Sequence, residues 1–206
     1  MPPRPSGGTI LPAQERRELT VETVVELAAE QNPNEITTAA IAERMGVTQG
    51  ALFRHFVNKD AILQAVIHWL SERLLARIDE AIASTSHPAA ALEAVFKVHI
   101  AFVSTHPGAP RLLFGELQRK SNSASKRLVT ELMKSYRQRL MKVLVDGQLK
   151  GAFDPDLDLE GAATLFIGCI QGLVMQSLMD GQVASLRKQA ARVFPIYLRG
   201  LQTPVV

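Results

Sequence analysis

The residues best suited to chemistry lie between Ile36 and Lys59, in the run ITTAAIAERMGVTQGALFRHFVNK. They are not the residues of bond-making chemistry. Gln49, Gly50, Ala51, Phe53 and His55 form a mixture of small, flat and hydrogen-bonding side chains on one face of a short helix. Leu52 and Phe56, four apart, give that helix an apolar face on the other side. Thr48 can cap it, and Thr37 or Thr38 can cap the helix before it, because a hydroxyl accepts an orphan backbone N–H. Ile41, Ala42 and Met45 mark the buried face of the first helix. Gly46 supplies the left-handed residue that a chain leaving a helix often needs, and Val47 can pin the turn. Two short helices joined in this way place the second in the major groove of DNA. Gln49 can donate and accept, so it can read adenine bidentately. Gly50 and Ala51 let the helix approach the bases closely.

Thr37-Thr38, Ile41-Ala42, Gly46-Val47, Ala51-Leu52-Phe53-Arg54-His55-Phe56 and Lys59 occur in order and without gaps. The run resembles the DNA-binding domain of the TetR/AcrR family of bacterial one-component repressors. The resemblance covers the first quarter to third of the chain; the rest is similar only in helical layout. It implies that Thr38 and His55 bond phosphates, that Lys59 adds a charged phosphate contact, and that Phe53 packs on the DNA backbone. The family usually carries Tyr where this chain has Phe53, so one phosphate hydrogen bond is missing. The resemblance further implies a homodimer on a near-palindromic double-stranded DNA operator. Its subunits pair through helices near 159–179 and 183–201, and a small apolar effector releases it. In a second design within the superfamily, the nucleoid-occlusion division inhibitor, the C-terminal body binds a protein partner instead. Ile36–Phe56 is similar to that protein's corresponding run too.

The elements that must position these residues read as all-α. Residues 1–12 are expected to form a disordered tail, 13–58 a three-helix DNA reader, and 59–206 an effector-binding and dimerisation domain. Helix one is expected over about Gln14–Gln31 with Leu19, Val24, Leu27 and Ala28 on its apolar side, ended by Asn32-Pro33-Asn34. Asn58 caps a long helix four. Pro88 starts helix five, a short helix six begins near Pro110, and Leu128, Leu132, Tyr136, Leu140 and Leu144 form the ridge of helix seven. Lys134, Arg137, Arg139 and Lys142 are assigned to its wet side, with an acidic partner or a phosphate-bearing effector such as an acyl-CoA as the functional alternative. Helix eight, about Leu159–Met179, is apolar nearly all round. Polar interruptions and the lack of close Lys/Arg anchors argue against a bilayer span. Such a helix is a buried one, with one side on its own domain and the other on a second subunit. Gly161, Gly168 and Gly172 make a stripe that permits close approach. Pro195 is expected to kink helix nine.

Charge and composition bound the rest. The 206 residues are 47% hydrophobic and 21% charged, with one cysteine, so no internal disulfide forms and a cytoplasmic, nucleoid-associated location is expected. The net charge is +3, yet Met1–Asp60 carries six Lys/Arg against eight Asp/Glu, a net −2. Glu15, Glu18, Glu22 and Glu26 share one helical stripe that can face away from DNA. Affinity then rests on a few placed contacts. Arg16 and Arg17 have two equal readings, as backbone contacts or as partners of Glu15 and Glu18; Arg54 is a flanking or solvent residue. Candidate pocket residues for the effector are Trp69, Phe96, His99, Phe102, Phe114, Tyr136, Phe166 and Ile170, among helices four to eight. Without the effector argument, His99 reads as a core histidine. His99, His106 and Cys169 match no metal-ligand spacing, so no metal and no cofactor are expected. Gly-x-Ser-x-Gly, P-loop, dinucleotide and His-Glu-x-x-His patterns are absent, and an enzyme is not expected.

Overall fold

Polar residues ahead of the apolar runs cap five of the described α-helices. Thr37, Thr48, Asn58, Ser123 and Asp158 each accept the backbone N–H three residues on. Helix α5 instead begins with Pro88, whose missing N–H costs nothing there. In the computed structural model, residues 12–120, 122–181 and 185–202 are described; residues 1–11 of the expected tail and the last four residues lie outside them. Among the described residues the order is α1 (Ala13–Glu30), a 3-10 turn (Pro33–Glu35), α2 (Thr38–Arg44), α3 (Gln49–Phe53), α4 (Lys59–Ala83), α5 (Pro88–Thr105), α6 (Gly108–Gln118), α7 (Ala124–Leu149), α8 (Leu159–Asp180) and α9 (Leu186–Arg199). No strand occurs among them.

Helix α4 packs on α1 at one end and on α5 and α7 beyond, so it joins the reader to the body. Leu19 does not face the core: it is 39% exposed. The buried face of α1 is turned to include Thr20 and Thr23, whose hydroxyls donate to Arg16 O (2.8 Å) and Leu19 O (2.7 Å). With its hydroxyl satisfied inside the helix, threonine buries like valine.

The body is α5, α7, α8 and α9. Phe96 and Phe166 meet edge to face at 5.4 Å, Phe194 lies 5.2 Å from Phe96, and Tyr197 donates to Ala162 O at 3.1 Å. The turn after α7 is more than a connection. Gly151 takes φ +66°, and Phe153, 3% exposed, lays its ring on Gly147, where a Cβ would come within 2.0 Å. Asp154 N–H donates to Leu201 O and ties this corner to the end of α9.

Two arginines assigned to the wet side of α7 are cross-helix clamps. Arg139 bonds Asp79 of α4 through both carboxylate oxygens (2.7 and 2.8 Å) and holds that carboxyl below its ordinary range. Arg137 reaches Glu160 and Thr164 of α8. Arginine's planar fork suits such bidentate pairing, and it leaves less free positive charge on α7 than the sequence suggests.

Candidate nucleic-acid interface and effector cavity

Helix α3 is five residues long and held from three sides. Thr48 caps it (Oγ1 to Ala51 N, 3.2 Å), Leu52 and Phe56 anchor it in the core at 2% exposure each, and Gly46 takes φ +65° in the turn before it. A further anchor was not legible in sequence. Arg17 donates to His55 O at 2.8 Å and lies over the Phe56 ring, 4.6 Å from its centroid. Arg17 is thus committed to the end of α3 rather than to Glu15 or Glu18.

The residues assigned to DNA come together on the opposite surface. Thr48, Gln49, Gly50 and Lys59 are exposed, Thr38, Ala51 and His55 half-buried, and Phe53 is 44% exposed. Gln49 Nε2 donates to Thr38 Oγ1 at 2.8 Å, which links the two helices and leaves the Gln49 carbonyl and one amide hydrogen free. A Cβ on Gly50 would meet only Thr48 Oγ1, at 3.9 Å, so nothing inside the protein requires glycine there. Lys59 Nζ stands at the start of α4, 3.4 Å from Asn34 O. Glu15, Glu18, Glu22 and Glu26 all point to solvent along α1, and Arg44 pairs with Glu30.

Five of the eight pocket candidates line one cavity. His99 and Phe102 of α5, Phe114 of α6, Tyr136 of α7 and Ile170 of α8 surround a void of about 70 Å³. Leu74, Val103, Ala109, Pro110, Leu113, Leu117, Val129, Leu132, Met133, Ile167, Gln171 and Val174 complete the wall. None of these twelve was assigned to the pocket from sequence, although Val129, Leu132 and Met133 share the helical face of Tyr136. No wall residue is Lys, Arg, Asp or Glu. His99 Nδ1 and Tyr136 Oη are 3.0 Å apart, and burial lowers the His99 pKa to about 4, so the imidazole is neutral.

The other three candidates are elsewhere. Phe96 and Phe166 are spent on the aromatic cluster under α9. Trp69 faces α1 across a separate groove with Glu22, Glu26 and Glu30, beneath the Arg73 guanidinium (4.2 Å) and edge-on to His106 (5.6 Å). A period of 3.6 says which residues share a face, but not which neighbour that face meets. His106 stacks on Phe102 at 4.6 Å with Nδ1 3.0 Å from Phe102 O, at the end of α5.

Helix α6 separates this cavity from the reader. Leu113, Phe114 and Leu117 face the void, while Gly108 lies so close to α1 that a Cβ would come within 2.0 Å of Val25 O. On the outer side of the body, Leu165, Met175 and Met179 of α8 and Ile196 of α9 are exposed at 55, 46, 79 and 62%. A Cβ on Gly168 or Gly172 would meet nothing within 4 Å, whereas Gly161 is crowded by its own cap, Asp158. By length and composition α5 and α8 could each cross a bilayer, with 44% and 39% of those stretches buried.

The pattern of bacterial regulatory proteins of the tetR family matches residues 21–66, and that of the C-terminal region of YsiA-like proteins matches residues 70–200. The nucleoid occlusion factor SlmA of Marinomonas sp. is 25% identical over 160 residues, which is 78% of this chain and 81% of that one. SlmA of Shewanella baltica is 26% identical over 168 residues, 81% and 85% of the two chains. Among solved structures, FadR from Bacillus subtilis in complex with stearoyl-CoA superposes with a TM-score of 0.77 at 22% identity, over 90% of this chain and 99% of that one. The ketosteroid transcriptional regulator KstR2 of Mycobacterium tuberculosis gives 0.72 at 21% identity, over 98% and 100%. The all-α order, the outward-facing second helix of the turn motif and both family matches agree: the chain belongs to the TetR family of DNA-binding transcriptional regulators.

Proposed function

We propose that this regulator is a homodimeric repressor that leaves a near-palindromic operator when a small apolar molecule enters the cavity between α5, α6, α7 and α8. The observation that carries this reading is the position of α6, with the cavity on one side and α1 on the other. A drug-sized ligand needs a pocket of roughly 300 Å³ or more, so a void of about 70 Å³ must widen to receive one. Widening displaces the α6 wall. Because Gly108 of α6 sits against the α1 backbone, that displacement moves the reader. The effector then favours a spacing of the two α3 helices that DNA does not accept, and its differential affinity for the two states sets the response.

In the dimer, the exposed apolar face of α8 and α9 is covered by its symmetry mate. The two α3 helices then enter successive major grooves about one helical turn apart. Gln49 reads a base, and Thr38, Thr48, His55 and Lys59 hold phosphates. Gly50 and Ala51 admit the bases, and Phe53 packs on the sugar-phosphate chain. Selection of bound duplexes from a random pool tests this. A two-fold sequence should be enriched, and Gln49→Ala should lose about 1–3 kcal/mol of discrimination at one base pair per half-site. Failure to enrich any sequence would overturn the reading.

A second reading is favoured by the sequence similarity to SlmA, a nucleoid occlusion factor, over most of this chain. In it the small cavity stays closed and the body binds a protein partner while α3 holds DNA. DNA release by apolar molecules separates the two readings. A phosphate-bearing effector such as an acyl-CoA fits less well, since Arg137 and Arg139 are already paired.

A further inference from the structure

Within the hydrocarbon wall of the cavity lies one polar pair, a half-buried His99 and a buried Tyr136. His99 Nδ1 and Tyr136 Oη are 3.0 Å apart. Tyr136 is 1% exposed, and burial holds its phenol above the ordinary range, so the oxygen keeps its hydrogen. That hydrogen has one acceptor among the described residues, His99 Nδ1. The reverse arrangement, with Nδ1–H donating to Oη, would strand the hydroxyl hydrogen in a buried site, which is costly. Tyr136 therefore donates, and the neutral ring carries its proton on Nε2. Trp69 Nε1 is the only side-chain nitrogen or oxygen among the described residues that is sealed from solvent without a partner. His99 Nε2 has no partner either, so it is not sealed, and His99 is a wall residue of the void. The other polar wall residue, Gln171, is exposed at the rim.

We propose that His99 Nε2–H is the polar anchor of the effector, which is an uncharged, mainly apolar molecule bearing a ketone, ester or ether oxygen at the end that enters first. The inference rests on the ligand-responsive reading above and narrows it. A plain hydrocarbon end leaves the Nε2–H donor unpaired when the cavity closes over it. A carboxylate brings a full charge to a wall that holds no cation, a larger penalty. Tyr136 is a positioning residue: by occupying Nδ1 it fixes which nitrogen faces the ligand.

Acetophenone, isopropylbenzene and benzoate have nearly the same shape and differ in the chemistry of one group. Their affinities for the full chain at neutral pH can be measured by calorimetry. The readout is the acetophenone-to-isopropylbenzene affinity ratio, in wild type and in His99→Phe, so that the probes' unequal hydration cancels. The ratio should fall about tenfold or more in His99→Phe. It should also fall in Tyr136→Phe, which keeps the ring of Tyr136 and guards against a misfolded His99 variant. Benzoate should bind more weakly than acetophenone. Nitrogen-15 shifts of labelled histidine should show His99 protonated on Nε2. An unchanged ratio in both variants, or a proton on Nδ1, overturns the anchor while leaving an apolar cavity in place. If none of the three probes binds, the effector cavity itself is wrong and the anchor falls with it.

Discussion

Gly50 and His99 show how one residue can be read through what surrounds it. Space for a Cβ on Gly50 means that the fold does not need glycine there. Gly50→Ala should therefore leave the melting temperature unchanged or raise it, since alanine is the better helix former by up to about 1 kcal/mol. Operator affinity should fall several-fold as the methyl group meets the bases; a variant that binds as well as wild type would move the DNA face away from Gly50. His99 is held neutral, with a pKa near 4 against 6.5 for an ordinary histidine. Between those values the unfolded chain takes up a proton that the folded chain does not. Its contribution is thus complete above pH 6.5 and is lost as pH falls toward 4, by on the order of 3 kcal/mol at most. Denaturation of wild type and His99→Phe across that range should show the difference in stability shifting toward the variant as pH falls. Much of the exposed face of α3 was legible because a short amphipathic helix has few ways to lie. The Arg17 anchor was not, because it bonds a carbonyl 38 residues away, and charge spacing alone offered nearer partners.

Among the elements, α6 and the corner after α7 were the least legible. Both depend on glycines that admit a distant group. Gly108 accepts the α1 backbone and Gly147 the Phe153 ring. Gly147→Ala should drive the ring out and cost about 1–3 kcal/mol, read as a lower melting temperature. Gly108→Ala meets backbone at 2.0 Å and 2.8 Å, which yields less readily than a side chain. It should lower stability and also alter operator affinity measured by anisotropy, because it shifts the reader against the body. A stability loss with unchanged DNA binding would show that α6 does not couple the two. The α7 ridge shows the other side of the matter. Periodicity identified Leu128, Leu132, Tyr136, Leu140 and Leu144 as an inward face; the last four are buried and Leu128 is half-buried. It could not say that Arg137 and Arg139, off that ridge, would find Glu160 and Asp79 on neighbouring helices.

For the whole molecule, the exposed Leu165, Met175, Met179 and Ile196 form an apolar face on α8 and α9. Scattered apolar residues are ordinary on a surface, but a contiguous patch marks an interaction site. In the proposed dimer this face is the seam, and Gly168 and Gly172 let the two α8 helices approach. Leu165→Arg, which points away from the protomer core, should leave the circular dichroism spectrum intact. It should also convert the dimer to monomer in size-exclusion with light scattering, and operator affinity should collapse with it. A wild-type chain that runs as a monomer at micromolar concentration would remove the seam and the paired readers together.

The amino-acid sequence alone determined the all-α class, the turn motif and which side chains its second helix exposes. Those features depend on local terms: helical period, side-chain caps and a left-handed glycine act within a few residues. The tertiary structure decided which aromatic residues border the cavity, which arginines are free, and how the cavity wall touches the reader. Phe96 and Phe102 lie on the same helix, yet one fills the core and the other lines the void. Their difference comes from the helices placed opposite each, and that placement follows from packing the chain as a whole.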